Sequence, residues 1–227
     1  MHDAHPIEAV IFDMDGLLLD SERLAMEALV AAGDELGYEM PESFCQAMIG
    51  VPADRCRAMV VETYGADFPL ERYFAAQEVH LRAMVDNGRL STKAGVGELL
   101  DLLDNHRLPR AIATSSSRYR TDHHLALAGI DGRFQAIITR DDVSRGKPHA
   151  DPYLAAADKL GVAPASCLAL EDSYNGIRAA RAANIPVIMI PDLLPPTDEM
   201  RDTALKVVDT LHDVVEWLTP RLTVRSA

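Results

Sequence analysis

The chain predicts an α/β fold, a parallel sheet with helices on both faces, broken once by a helical insert. Three observations carry this expectation. Short apolar runs alternate with segments of helical pattern, most of those runs end in polar residues, and residues 21–91 contain no convincing strand. The 227 residues, 48% hydrophobic and 25% charged, suit one large domain or a core plus a smaller insert.

The apolar runs at residues 10–12, 111–113, 167–170 and 187–190 have the length and composition of strands buried on both faces. Residues 136–138 and 206–208 are weaker candidates. Between them, Asp151 and Pro152 suit a helix N-cap and first position, and Gly161 its end. A second helix is expected over 118–128, stopped by Gly129, and a third over 176–184, ending before Pro186. Residues 191–197 hold three prolines and read as a loop. In the insert, Ser21 can cap a helix bearing Leu24, Ala28, Leu29 and Leu36 that stops at Gly37. Further helices fit residues 53–64, before Gly65, and the stretch from Pro69 to Asn87-Gly88. The expected division is therefore a core of residues 1–20 and 92–227 and a separate helical domain of residues 21–91. Trp217, with Val214, Val215 and Leu218, reads as packing of a C-terminal helix.

Thirty-five Asp and Glu against 22 Lys and Arg leave a net charge of −13, which disfavours a nucleic-acid backbone or an anionic lipid surface as partner. Any anionic substrate must then be held locally. The first seven residues lack an apolar signal core, and no run of about 18 apolar residues occurs. A cytoplasmic monomer without a membrane partner is expected. Cys45, Cys56 and Cys167 are odd in number and irregularly spaced, so they read as reduced packing residues. His106, His123, His124 and His212 have no metal-ligand spacing and read as surface residues.

The first run leads directly into Asp13-Met14-Asp15-Gly16. Two carboxylates two positions apart on extended chain project to the same side and repel unless a cation or a proton intervenes. Magnesium suits such a place, because it takes a few carboxylates together with phosphate oxygens. Alone the tetrapeptide also reads as a turn rich in capping residues, but sites of parallel sheets lie at the carboxyl ends of strands. The second run ends in Thr114-Ser115-Ser116-Ser117. Thr114, first after the strand, is the best ligand for phosphoryl oxygens; Ser115 to Ser117 serve equally as ligands or as caps of the following helix. The run 167–170 ends in a second acidic pair, Glu171-Asp172. Lys147, one of four lysines, sits in Arg145-Gly146-Lys147-Pro148, where a rigid loop can aim its ammonium. Together these strand ends outline a metal and phosphate site.

As a set the residues resemble the haloacid dehalogenase superfamily, in its branch of helical-cap phosphatases. Residues 12–22, FDMDGLLLDSE, resemble the first motif; Thr114 matches the second, Lys147 in GKPHADPYL the third, and Glu171-Asp172 in EDSYNG the fourth. The resemblance covers residues 10–190 and implies a Rossmann-like core with an inserted all-helical cap. It also implies a magnesium-dependent phosphatase in which Asp13 becomes an aspartyl phosphate. Asp15 would protonate the leaving alkoxide and then accept a proton from water. The Asp13 carboxylate, the Asp15 carbonyl and Asp172 would hold Mg2+, with Glu171 bound directly or through water. Thr114, Ser115 and Lys147 would hold the phosphoryl group. The cap would close over the site about hinges near residues 19–21 and 91–95. Ala94 departs from the family, where Pro often precedes the Gly-Val pair.

Asp15 argues against a dehalogenase, which has no alkoxide to protonate. The absence of lysine from residues 1–92 excludes a phosphonate hydrolase that uses a cap lysine. The alternative is a mutase similar to beta-phosphoglucomutase, but those relatives carry a cap histidine soon after the first motif, where this chain has Arg23-Leu24-Ala25-Met26. A non-catalytic scaffold would not need the acidic pairs, Thr114 and Lys147. The wording of the motifs resembles phosphatases acting on sugar phosphates and pseudouridine 5′-phosphate, which implies a small phosphorylated metabolite. Arg55, beyond Ile49-Gly50-Val51-Pro52, reads either as a substrate contact or as part of a solvated helix face.

Overall fold

A computed structural model describes residues 6–49, 51 and 53–222, in two compact units: described residues up to Leu19 together with those from Thr92 onward, and those within Asp20–Ser91. Gly50 and Pro52, which precede Arg55 in the sequence, lie outside the described residues. Among the described residues no helix is long and apolar enough to cross a membrane.

The first unit holds β1 (Ala9–Phe12), with α1 to α4 of the second unit following it in sequence. Those are α1 (Ser21–Leu36), α2 (Glu42–Gln46), α3 (Ala53–Tyr64) and α4 (Leu70–Asp86). The chain then returns with α5 (Val96–Asn105), β2 (Arg110–Ala113), α6 (Arg118–Leu127), β3 (Ala136–Ile138) and α7 (Asp151–Leu160). It ends with β4 (Cys167–Glu171), α8 (Tyr174–Ala182), β5 (Val187–Met189), α9 (Asp198–Thr203), β6 (Lys206–Val207) and α10 (Leu211–Leu218). The six strands are all parallel, in the order β3-β2-β1-β4-β5-β6. This is the Rossmann-like α/β architecture expected from the sequence, with an all-helical insert.

Alternation along the strands explains the two covered faces. Ala9, Ile11, Ala111, Ala113, Cys167 and Ala169 share one cluster with Tyr153, Ala156 and Ala157 of α7 and Ile177, Ala179 and Ala180 of α8. Small residues on this face let the two helices approach the sheet. Val10, Phe12, Ile112, Leu168 and Leu170 point the other way and are equally buried. The register brings the strand ends level: Phe12 lies opposite both Ile112 and Leu170, and Glu171 opposite Met189. Whatever follows Phe12, Ala113 and Leu170 is thereby gathered at one edge.

Within the helical unit, α1 packs along α4 through Leu24, Ala28, Leu81 and Val85. A second cluster joins Ala32, Met40, Cys45, Cys56, Val60, Phe68 and Tyr73, and the Tyr73 hydroxyl donates to Leu29 O at 3.1 Å.

Several local expectations need correction. Asp20, not Ser21, precedes α1, and Ser21 is its first helical residue. Helix α7 starts at Asp151 after Ala150, so Asp151 is already helical and Pro152 follows it. Helix α8 begins at Tyr174 rather than 176, because the Ser173 hydroxyl caps it by accepting from Gly176 N at 3.1 Å. His124 is buried, on the face of α6 that also buries Thr121 and Leu125. All three cysteines are free and buried.

Candidate active site

Asp13 is the first residue beyond β1, and its backbone N–H donates to Leu170 O at 3.0 Å, continuing the ladder to β4. That bond sets the Asp13 side chain beside Glu171. The Lys147 ammonium donates to both Asp13 Oδ1 and Glu171 Oε1. Glu171 is fully buried and has donors on each oxygen. Oε1 also accepts from the Tyr153 hydroxyl at 2.8 Å, and Oε2 accepts from Ser173 N at 3.2 Å and Ser173 Oγ at 3.0 Å. The carboxylate is therefore a rigid anchor that fixes Lys147 against Asp13. Gly176 makes room for it, since a Cβ at that position would fall on the Glu171 carboxylate.

Asp15 is held from the other strand end. Ser116 Oγ donates to Asp15 Oδ2 at 2.7 Å, Thr114 Oγ1 stands 3.5 Å from the same oxygen, and Thr114 Oγ1 accepts from Ser116 N at 3.0 Å. Gly16, at φ 80°, allows the chain to turn immediately after Asp15. The four hydroxyls divide their work. Thr114 and Ser116 are buried beside Asp15, Ser117 caps α6 by accepting from Arg120 N, and Ser115 is exposed.

Asp13, Glu171 and Asp172 each offer a carboxylate oxygen within 4.8 Å of the others, and all three residues are buried. Three oxygen donors of this kind fit a small hard cation. The Asp15 carboxylate is not in that group, being turned to Ser116 and Thr114. Burial pushes the Asp13 carboxyl up to about 8; Lys147 pulls it down, while Glu171 and Asp15 add to the push. For Lys147, burial favours the neutral amine, but the charges of Asp13 and Glu171 outweigh it and hold the ammonium above the ordinary lysine range. Burial also lifts the Tyr153 hydroxyl well above 10, with Glu171 adding to it, so it stays a donor.

Asp13, Asp15, Thr114, Lys147, Glu171 and Asp172, separated by up to about 160 positions in sequence, thus converge on one edge of the sheet. Arg55 lies on α3 in the helical unit, exposed, with Nη1 2.6 Å from Glu62 Oε1. Two participants escaped sequence reasoning. Tyr153 was visible only as an aromatic early in α7, and Ser116, read as either a phosphoryl ligand or a cap, gave no sign that its hydroxyl would donate to Asp15.

Comparison with known proteins bears on this arrangement. Residues 10–190 match the family model described as haloacid dehalogenase-like hydrolase. A probable pseudouridine-5′-phosphatase of Drosophila melanogaster is 32% identical over 188 residues, covering 80% of each chain. A phosphorylated carbohydrates phosphatase of Thermotoga maritima is 31% identical over 180 residues, covering 79% of this chain and 82% of its own. The crystal structure of a putative beta-phosphoglucomutase from Thermotoga maritima superposes with a TM-score of 0.79 at 27% identity, covering 94% of this chain and 99% of that one. The match runs from the first strand through the fifth and takes in every residue of the acidic edge, and so the chain belongs to the haloacid dehalogenase-like hydrolase family.

Proposed function

We propose that this hydrolase is a magnesium-dependent phosphatase that removes phosphate from a small phosphorylated metabolite by way of a phosphorylated Asp13. The observation that carries the reading is the Asp13 carboxylate at the end of β1, hydrogen-bonded by a buried ammonium and grouped with Glu171 and Asp172. Magnesium held by the Asp13 and Asp172 carboxylates and the Asp15 carbonyl would neutralise both the acidic group and the phosphoryl oxygens. Glu171, whose two oxygens already accept from Lys147, Tyr153 and Ser173, is assigned to the outer shell.

In the first step an Asp13 oxygen attacks phosphorus, the bond from phosphorus to the ester oxygen breaks, and Asp15 gives its proton to the departing alkoxide. In the second, Asp15 takes a proton from water, the water oxygen attacks phosphorus, and the bond to Asp13 breaks to release phosphate. Ser116 keeps the Asp15 carboxyl in place for both transfers. Lys147 spends two of its three N–H groups on Asp13 and Glu171, and the third is assigned to a phosphoryl oxygen, with Thr114 and Ser115 supplying further donors. Selection of the leaving group is assigned to the helical insert as a cap, with Arg55 as its candidate contact.

The names of the two phosphatase relatives favour a phosphorylated sugar or nucleoside as substrate. A panel of such metabolites with Mg2+ and a phosphate-release assay tests this. Wild type should release phosphate from at least one, and Asp13→Asn should lower kcat by about 10⁴-fold or more. Equal inactivity of both proteins across the panel would favour a scaffold. The resemblance to the mutase structure supports the second reading, phosphoryl transfer between sugar positions. A sugar 1-phosphate separates the two: inorganic phosphate marks the phosphatase, and the 6-phosphate without phosphate release marks the mutase.

A further inference from the structure

Asp192 lies in the loop after β5, beside the end of β4, where Ile190 N donates to Glu171 O at 2.7 Å. Its side chain is only 9% exposed, and Oδ1 accepts from Lys93 Nζ at 2.5 Å. Oδ2 is buried and has no hydrogen-bond partner among the described residues. A carboxylate oxygen of Asp192 lies within 4.8 Å of one from Asp172, yet Asp192 stands outside the group formed by Asp13, Glu171 and Asp172. A buried acceptor left without a donor is unfavourable, and two carboxylates this close repel. Both difficulties vanish if a water on a cation held by Asp172 donates to Asp192.

We propose that Asp192 is a positioning residue of the cation site, accepting a hydrogen bond from a metal-bound water while Lys93 fixes its other oxygen. The inference rests on the cation reading given above. Magnesium keeps several waters when protein carboxylates bind it, so an acceptor one water beyond Asp172 restrains the hydrated ion without displacing a ligand. Asp192 touches neither phosphorus nor the leaving group in this assignment. Its effect is on affinity for the metal.

The competing explanation is purely structural: Asp192 anchors Lys93, whose backbone N–H donates to Leu18 O at 2.9 Å. Titration of the full chain with Mn2+ at fixed pH, followed by electron paramagnetic resonance without substrate, separates the two. The Kd of Asp192→Asn should rise by about tenfold or more over wild type, while its metal-free melting temperature stays near wild type. Asp192→Ser should behave alike and serves if the Asn variant does not fold. A Kd within about twofold of wild type would overturn the proposal, with a lowered metal-free melting temperature then pointing to the structural role. Failure of wild type to bind Mn2+ would instead remove the cation reading itself, a result distinguishable from loss in the variant alone.

Discussion

Lys147, Glu171 and Tyr153 form a buried chain in which each member depends on the next. The Tyr153 hydroxyl donates to the same Glu171 oxygen that receives Lys147. Tyr153→Phe removes that donor and leaves Lys147 less firmly aimed at Asp13. Steady-state kinetics should show kcat falling by about tenfold with KM little changed, and denaturation should show a loss of about 1–3 kcal/mol from the under-satisfied carboxylate. An unchanged kcat would mean that Glu171 holds Lys147 without help. The cysteines make a simpler case: burial pushes Cys45, Cys56 and Cys167 up to about 11, so each is almost wholly thiol at neutral pH. An aromatic disulfide reagent should react slowly with the native protein and rapidly with all three after unfolding. Asp13, Asp15, Thr114, Lys147 and the Glu171-Asp172 pair were legible because each follows an apolar run or sits in a marked loop. Tyr153 and Asp192 were not, since their partners lie far away in sequence and nothing local distinguishes them from packing or loop residues; for Ser116 the hydroxyl cluster was visible but its partner Asp15 was not. His124 misled for a related reason: α6 carries so few apolar side chains that its buried face leaves little pattern.

Among the elements, α8 couples its own start to the site. Ser173 caps the helix through Gly176 N and at the same time donates to Glu171. Gly176→Ala would ordinarily favour a helix by about 1 kcal/mol. Here the added methyl meets the Glu171 carboxylate, and overpacking of about 1–3 kcal/mol should win. Urea denaturation is expected to show net destabilisation, accompanied by reduced kcat; a stabilised and fully active Gly176→Ala protein would refute the close packing. The early start of α8 was hidden because Asn175-Gly176 looks like a turn, whereas the hydroxyl two residues past β4 decides where the helix begins. Helix α2 spans only Glu42–Gln46, too short to present a periodic face. The longer helices of the insert, with Gly37, Gly65 and Asn87-Gly88 at their ends, carried enough pattern to be read directly.

For the molecule as a whole, strand content was legible because a parallel sheet covered on both faces needs continuous apolar runs. The order β3-β2-β1-β4-β5-β6 was not, since it is fixed by side-chain packing between distant segments. That order gathers four carboxyl groups, Asp13, Asp15, Glu171 and Asp172, at one edge, where Lys147 pairs with Asp13 and Glu171, in a chain already at net −13. A divalent cation should therefore stabilise the fold as well as the reaction. At 100 times its Kd, Mg2+ adds about 2.7 kcal/mol, a rise in melting temperature on the order of 5–10 °C for a chain this size. Differential scanning fluorimetry should show this rise, its reversal by a chelator, and no comparable effect of NaCl at matched ionic strength. Asp13 remains the centre of the account, and its phosphorylation is open to direct capture. In a rapid acid quench during turnover of a good substrate, mass spectrometry should find one phosphoryl group on the peptide containing Asp13, labile to hydroxylamine and absent from Asp13→Asn. Phosphate release at full rate with Asp13 unmodified, or the phosphoryl group on another residue, would contradict the mechanism.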